Sequence, residues 1–564
     1  MNRNLAYGLT IVVSAFFAVF FLYPAVIVLK EAFYLEGQGF TLSFVREVFS
    51  NPVYVEGLWN ALLLGISSTL ASLAIAFPLA LLGHRYGFAF KKSLSALILI
   101  PLVLPPFVGA VGVKQILGSQ GALNALLVNI GISDAASPFD WLGEARFMGI
   151  VIMNALHLYP ILYMNIAASL SNIDPAMEQA AQNLGCPPWR RLWRITLPLC
   201  MPGIFAGGAI VFIWSFTELG VPLVFDYGRV APVQVFNGIK DLGSNPFPYA
   251  LVAIMLVIST TVFLVSKAVL GRSKLGTAPR PKGRANEIPL KGLKSLGVAF
   301  FFFAVFFISS LPHLGVVVLS MAQDWYASVL PETWTVDHYR EALGHPLVVP
   351  SIQNSLLYAS GSTLIDVILG VAIAWVIVRS SIKGRAVLDA LVMLPLAVPG
   401  LVLAFGYLAL SQEGRSFHWL VGAGEDPTYL IIIAYAVRRL PYVVRSAVAG
   451  LQQSNIALEE AAQSLGATPF RVLKRVSLPL LSASLIAGSI LAFAFAMLEV
   501  SDSLILAQQA EHYPITKAIY SLLGMLGNGY ELAAALGVWA MAFLAIAIIG
   551  AVVLGGKKGG LFRM

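Results

Sequence analysis

EQAAQNLGCPPWRRLWRITLP, Glu178 to Pro198, and EEAAQSLGATPFRVLKRVSLP, Glu459 to Pro479, are two copies of one stretch. They align without a gap: Gly185 matches Gly466, Pro188 matches Pro469, Arg194 matches Arg475 and Pro198 matches Pro479. Each copy is polar and basic and lies between long apolar runs. Ala-Ala and Gly keep a short helix slim. The Gly suits a left-handed helix end, and the Pro that follows stops one helix and opens the next. A helix–turn–helix placed twice in this way reads as two equivalent docking sites for something in the cytoplasm.

Working outward, the apolar runs set the fold class. The chain has 564 residues, of which 58% are hydrophobic and only 11% charged, with a mean hydropathy of +0.82. Soluble domains carry about 25% charged residues, so this is an integral membrane protein. A bilayer-crossing helix needs about 20 apolar residues. That ruler gives approximately 9–31, 57–83, 94–117, 147–170, 199–225 and 247–270, then 296–321, 352–378, 386–411, 428–450, 480–507 and 530–555. The expectation is an all-α protein of about twelve transmembrane helices in two parallel six-helix repeats. Residues 1–270 form the first half, with its loop at 171–198, and residues 295–564 the second, with its loop at 452–479. The stretch from Gly271 to Lys294 is rich in Gly, Pro and basic residues and reads as a cytoplasmic linker in reach of anionic lipid. The apolar run from Leu9 to Leu29 is too long for a signal peptide and reads as an uncleaved first helix.

The net charge of +8 does not point to nucleic acid, because the cations cluster in short loops. Arg85, Lys91 and Lys92, Arg190, Arg191 and Arg194, Arg379, Lys383 and Arg385, and Arg471, Lys474 and Arg475 mark one side of the membrane. By the positive-inside rule that side is cytoplasmic, and both termini share it. Cys186 and Cys200 fall in or near the first basic stretch and read as reduced thiols.

The repeat reaches beyond the loops. Asn60 opens NALLLGISSTL as Asn354 opens NSLLYASGSTL, Pro101 and Pro105 match Pro395 and Pro399, Pro160 matches Pro441, and Glu218 matches Glu499. The offset is 294 residues early and 281 later, so the first half holds 13 extra residues between its third and fourth helices. Parallel repeats imply a pseudo-two-fold axis along the membrane normal, the natural course of a solute path.

The doubled stretch resembles the EAA coupling loop of permease subunits of binding-protein-dependent ABC importers. That pattern is Glu-Ala-Ala, three residues, Gly, nine residues, Ile, one residue, Leu-Pro. The second copy fits with Glu460, Ala461, Ala462 and Gly466, with Val476 in place of Ile, and with Leu478-Pro479. The first fits with Gln179, Ala180, Ala181, Gly185, Ile195 and Leu197-Pro198, its Glu replaced by Gln. The resemblance implies a bacterial or archaeal plasma-membrane permease. Two copies of a cytoplasmic ABC ATPase would dock on the loops, and a separate extracytoplasmic binding protein would deliver the solute. Fused double permeases of this kind look most like ferric-iron importers. Thiamine, polyamine, sugar-phosphate and phosphonate importers are relatives.

No Gly-x4-Gly-Lys-Ser/Thr phosphate loop occurs, so ATP is expected on partner subunits and no cofactor on this chain. The seven histidines lack the close helical spacing of a metal site. A membrane-embedded enzyme is disfavoured because no nucleophile–base pair or metal cluster recurs. A gradient-driven transporter would use intramembrane carboxylates such as Glu218 and Glu499, but the coupling loops speak against it. Intramembrane ionisable groups are costly and mark cavities or partners. Glu218, Glu499, Asp502, Arg438, Arg439 and His157, the last at the repeat position of Arg438, are therefore the pore-lining candidates. Arg438 and Arg439 are adjacent in an apolar helix. One is expected to pair with Glu499 or Asp502 while the other reaches a cavity.

Overall fold

The computed structural model describes residues 3–35, 39–142, 146–241, 247–272, 287–421 and 425–556. Helix dominates, and strand pairing among the described residues is confined to three short two-stranded ladders. The reason is the apolar composition, since within lipid a backbone must satisfy its own hydrogen bonds. In the first half the principal helices are α1 (Asn4–Phe33), α2 (Pro52–Arg85), α3 (Pro106–Leu117), α4 (Phe147–Ser171), α5 (Pro175–Asn183), α6 (Leu197–Phe216), α7 (Gly220–Val224) and α8 (Phe247–Arg272). Their counterparts in the second are α9 (Gly292–Ser320), α10 (Val348–Arg379), α11 (Gly400–Ser411), α12 (Thr428–Gln453), α13 (Ile456–Ser464), α14 (Leu478–Met497), α15 (Ser501–Leu506) and α16 (Gly529–Gly556).

Among the described residues nine helices are long and apolar enough to cross a membrane. The third segment of each half is not the straight span its hydropathy predicts. Lys91–Leu102 with Pro106–Asn129, and Arg385–Leu396 with Gly400–Ser411, each bend by 92°. Pro105 and Pro399 lack an N–H and stand in extended conformation at the break. The tenth segment, α12, is long enough at 26 residues but carries Arg438, Arg439 and Arg445. α3 and α11 have 12 residues each, α5 and α13 have 9, and α6 and α14 have 20. The 13 extra residues of the first half therefore lie between α3 and α4, where the chain adds the helix Ala122–Asn129.

Asn60 and Asn354 do not open helices as the repeat predicts. They lie inside α2 and α10, and their side-chain amides donate to the loop after the fifth helix. Asn60 reaches the carbonyl of Arg229 and Asn354 that of Glu511, both at 2.8 Å. Each amide satisfies a carbonyl in backbone that has left the helix.

The chain forms two compact units, Phe49–Asn237 with Ile254–Val336, and Met1–Val48 with Gly238–Ala253 and Asp337–Met564. These do not coincide with the sequence halves, because each half's first helix belongs to the other's unit. α9 packs on α3 at Gly112, where a Cβ would lie 1.8 Å from the Pro312 carbonyl oxygen. α1 packs on α11 at Gly406, the repeat mate of Gly112, where a Cβ would lie 2.6 Å from the Pro24 carbonyl oxygen. In lipid, small residues at such crossings let backbones approach and gain dispersion contact. Phe302 of α9 is fully buried with Leu79, Tyr159, Leu162 and Cys200. Residues 273–286 of the expected linker lie outside the described residues, but its end is anchored. Ile288–Pro289 pairs in parallel with Tyr86–Gly87, and Glu287 meets Lys91 at 3.1 Å.

Candidate functional site

The two repeated loops fold as their spacing predicts. Asp174 and Asn455 cap α5 and α13, accepting from Ala176 N at 2.9 Å and Ala457 N at 3.0 Å. Gly185 and Gly466 end these helices at φ +75° and +83°, in the left-handed region. The turn closes when Cys186 N donates to Ala181 O at 2.9 Å and Ala467 N to Ala462 O at 3.0 Å. A second short helix starts at Pro188 and at Pro469, then widens into a π-turn over Leu192–Thr196 and Leu473–Ser477 before α6 and α14 begin. Pro198 and Pro479, which cannot donate, account for the widening. Gln179, Ala180, Gly185, Glu460, Ala461 and Gly466 are exposed, and Ala181 and Ala462 half-buried. They share this surface with apolar side chains open to solvent, Leu184 at 87% and Leu465 at 89% exposure, beside Trp189 and Phe470.

The acids beside Gln179 and Glu460 were not among the expected site residues. Glu178 and Glu459 turn inward. Glu178 Oε1 takes Arg85 Nη2 at 2.6 Å and Thr196 Oγ1 at 2.5 Å. Glu459 Oε2 takes Arg379 Nε at 3.1 Å, and its Oε1 takes Ser477 Oγ at 3.1 Å. Arg379 also donates to Leu451 O at 3.0 Å and Ser454 Oγ at 2.7 Å, at the end of α12. Burial alone would raise the Glu178 carboxyl. The Thr196 and Arg85 hydrogen bonds, with the Arg85 charge, outweigh it and hold the group below its ordinary value. A signal was present: 178 and 459 are acidic in both copies, whereas 179 and 460 differ, and Arg85 matches Arg379.

Glu218 and Glu499 lie in breaks between helices, not inside a fifth helix as predicted. α6 gives way to α7, and α14 to α15, on either side of them. Each carboxylate accepts from the backbone of the short helix that follows, Glu218 from Val221 N at 3.1 Å and Glu499 from Asp502 N at 3.3 Å. The break brings Asp502 round to the same side as Glu499. Arg438 Nη1 then donates to Glu499 Oε1 at 2.6 Å and Asp502 Oδ2 at 3.0 Å. Arg439 bonds Glu499 Oε2 and donates to Phe495 O at 3.1 Å, with its guanidinium over the Tyr435 ring. Both arginines thus pair, where one was expected to reach a cavity. Two cations and two anions form a neutral cluster in which Asp502 is 0%, Arg439 4% and Glu499 8% exposed. Gly400 makes room for it, since a Cβ there would fall 2.2 Å from the Arg438 guanidinium. Asp366 is fully buried nearby. Its oxygens have no hydrogen-bond partner among the described residues, and the Arg439 charge acts on it.

The first half carries none of this cluster apart from Glu218. His157, at the position of Arg438, meets the Pro101 carbonyl at 2.9 Å through Nδ1. That carbonyl is freed because Pro105 has no N–H to offer it. Among the described residues no group of three His, Cys, Asp or Glu is arranged to hold a metal.

The family described as binding-protein-dependent transport system inner membrane component matches this chain twice, over residues 70–275 and 366–555. The chain belongs to that family. It is a double-length, multi-pass ABC importer permease of the inner membrane. It is 29% identical to the putative ferric transport system permease protein FbpB 1 of Haemophilus influenzae, over 87% of this chain and 76% of the relative. It is also 29% identical to the ferric transport system permease protein FbpB of Actinobacillus pleuropneumoniae, over 87% and 70%. The molybdenum transport system permease protein ModB of Haemophilus influenzae is 32% identical but covers 38% of this chain, with 94% of the relative matched. Among solved structures, a bacterial ABC transporter that imports the acidic polysaccharide alginate matches 49% of this chain at 17% identity, with a TM-score of 0.38.

Proposed function

We propose that this permease carries ferric ion inward, driven by two copies of a cytoplasmic ABC ATPase and supplied by an extracytoplasmic binding protein. The observation that carries the substrate is coverage. The ferric permeases match 87% of the chain, through both repeats, whereas the molybdenum and the spermidine/putrescine permeases match 38–42% of it.

Two exposed loops of one design, each with an apolar side chain almost wholly in solvent, support two ATPase contacts, with ATP bound on those partners. Gln179, Ala180, Ala181 and Gly185, and Glu460, Ala461, Ala462 and Gly466, form the docking surfaces. The positive charge of these loops supports a cytoplasmic side for them and for both termini. Each loop runs through its π-turn into α6 or α14, so a push on the loop is applied along a transmembrane helix. Glu218 and the Arg438, Arg439, Glu499 and Asp502 cluster, all at helix breaks or facing one, border the path, with His157 at the matching break of the first half.

The test is to purify the permease with a co-expressed ABC ATPase from the same organism and to identify the ligand on the binding protein that associates with it. Two ATPase copies per chain and bound ferric ion are expected. A different ligand would refute the substrate, and the absence of any ATPase association would refute the coupling.

A further inference from the structure

The inward-facing carboxylates have the geometry of a clamp, and it is built twice. Arg85 ends α2 and Arg379 ends α10. Each reaches the first acid of a coupling helix, and each acid also binds a hydroxyl on the last residue of the π-turn, Thr196 or Ser477. Arg85 itself donates to Thr196 Oγ1 at 3.1 Å. In the first half, α2, α5 and the start of α6 are therefore joined at one carboxylate. In the second, α10, α13 and the start of α14 are joined the same way. Arg379 adds the last turn of α12 through Leu451 O and Ser454 Oγ.

The exposed loop side chains suffice to hold a partner, but holding does not by itself move the transmembrane helices. A short helix linked to the bundle through covalent turns alone can rock without displacing it. A buried, charge-assisted junction removes that freedom, because such bonds are short, directional and costly to leave unmade. The second junction is drier, with Arg379 and Glu459 side chains 9% and 6% exposed against 18% and 27% for Arg85 and Glu178.

We infer that Glu178 with Arg85, and Glu459 with Arg379, are positioning pairs that transmit coupling-helix movement into the second transmembrane helix of each half. They act separately from the docking surface formed by Gln179, Glu460 and the two glycines. This inference rests on the proposed coupling to a separate ATPase.

The test uses the full-length permease, its ATPase and its binding protein in proteoliposomes, with radiolabelled ferric ion as probe. Arg379→Ala, Glu459→Ala and their double variant form one cycle, and Arg85→Ala, Glu178→Ala and their double variant a second. Three quantities are read: ATPase copies retained on purification, hydrolysis rate, and ions moved per ATP hydrolysed. Retention and hydrolysis are expected to persist while ions moved per ATP fall about tenfold, the scale of one lost charge-assisted contact. The double variants are expected to be no worse than the singles, since both members act as one unit. Should the alanine variants insert poorly, Thr196→Val and Ser477→Ala remove only the hydroxyl side of the clamp and are expected to lower the same ratio less. An unchanged ratio in every inserted variant overturns the inference, as do additive losses. Loss of the ATPase from Glu178→Ala or Glu459→Ala would make these docking residues and also overturn it, leaving the proposed function intact. Failure of the unaltered permease to retain any ATPase would overturn both.

Discussion

Arg438 and Arg439 point about 100° apart on α12, yet both reach the carboxylates of Glu499 and Asp502. The break after Glu499 makes this geometrically feasible, by folding Asp502 back beside it. A doubled arginine in an apolar helix demands acids, so one pairing was readable from sequence. The second was not, because nothing in the residue string announces that the fifth helix stops at Glu499. In a neutral four-charge cluster, removing one member leaves an uncompensated buried charge, at a cost of about 3–5 kcal/mol. Arg439→Ala and Glu499→Gln should therefore each lower the yield of folded, membrane-inserted protein. The double variant should yield more than either, as measured by monodisperse protein recovered in detergent. Additive losses would rule the pairing out. Gly400→Ala should lower yield by pushing against Arg438, and Gly400→Ala with Arg438→Ala should recover part of it.

The coupling loop is the most legible element, because each device in it leaves a residue signature: an Asp or Asn cap, a slim Ala-Ala turn, a Gly end and a Pro start. Two things were hidden. One is the π-turn before Pro198 and Pro479, which follows from a missing donor at a position that an ordinary helix also tolerates. The other is which of two adjacent residues turns inward, since that depends on an arginine 80 residues earlier for Glu459, or 93 for Glu178, at the end of another helix. Glu460→Lys and Gly466→Arg should leave the protein inserted but abolish substrate-stimulated ATPase activity in the reconstituted complex, and Gln179→Lys should do less, having no charge to reverse. Gly466 has open space where a Cβ would go, so its requirement is conformational. Gly466→Val should destabilise the turn by about 1–2 kcal/mol and Gly466→Asn by clearly less, measured by thermal denaturation of the complex. Glu178 adds a pH dependence. Its folded value lies below its unfolded one, so its contribution is complete above the unfolded value and disappears as pH falls through the folded one. A nitroxide on Cys186 should therefore grow more mobile on acidification, while the Glu178→Gln protein should show the mobile signal already at neutral pH.

At the scale of the molecule, hydropathy and the matched prolines carried the segment count and the repeat, but not the exchange of first helices. Apolarity marks a span without saying which neighbour it meets. Gly112 and Gly406 became informative only once each was seen against a proline carbonyl. Gly112→Leu and Gly406→Leu should each abolish folding of the unit that contains it, read as loss of protease-resistant protein. Residues 1–280 and 281–564 made as separate chains should assemble into a working permease, because each compact unit draws on both pieces, and neither piece alone should accumulate. Failure of the pair, with both stably inserted, would assign the stretch from Gly271 to Lys294 a role beyond connection. The exchange also sets a timetable. The unit that begins with Met1–Val48 receives nothing further except Gly238–Ala253 until Asp337. On a ribosome adding about 5–20 residues per second, nearly 300 residues separate Val48 from Asp337, roughly 15–60 s of synthesis. For that interval α1 stands in the bilayer without its packing partner, with Gly406 still to be made. The first helix to be inserted is thus among the last to be packed, with lipid in the meantime against the face that α11 later covers.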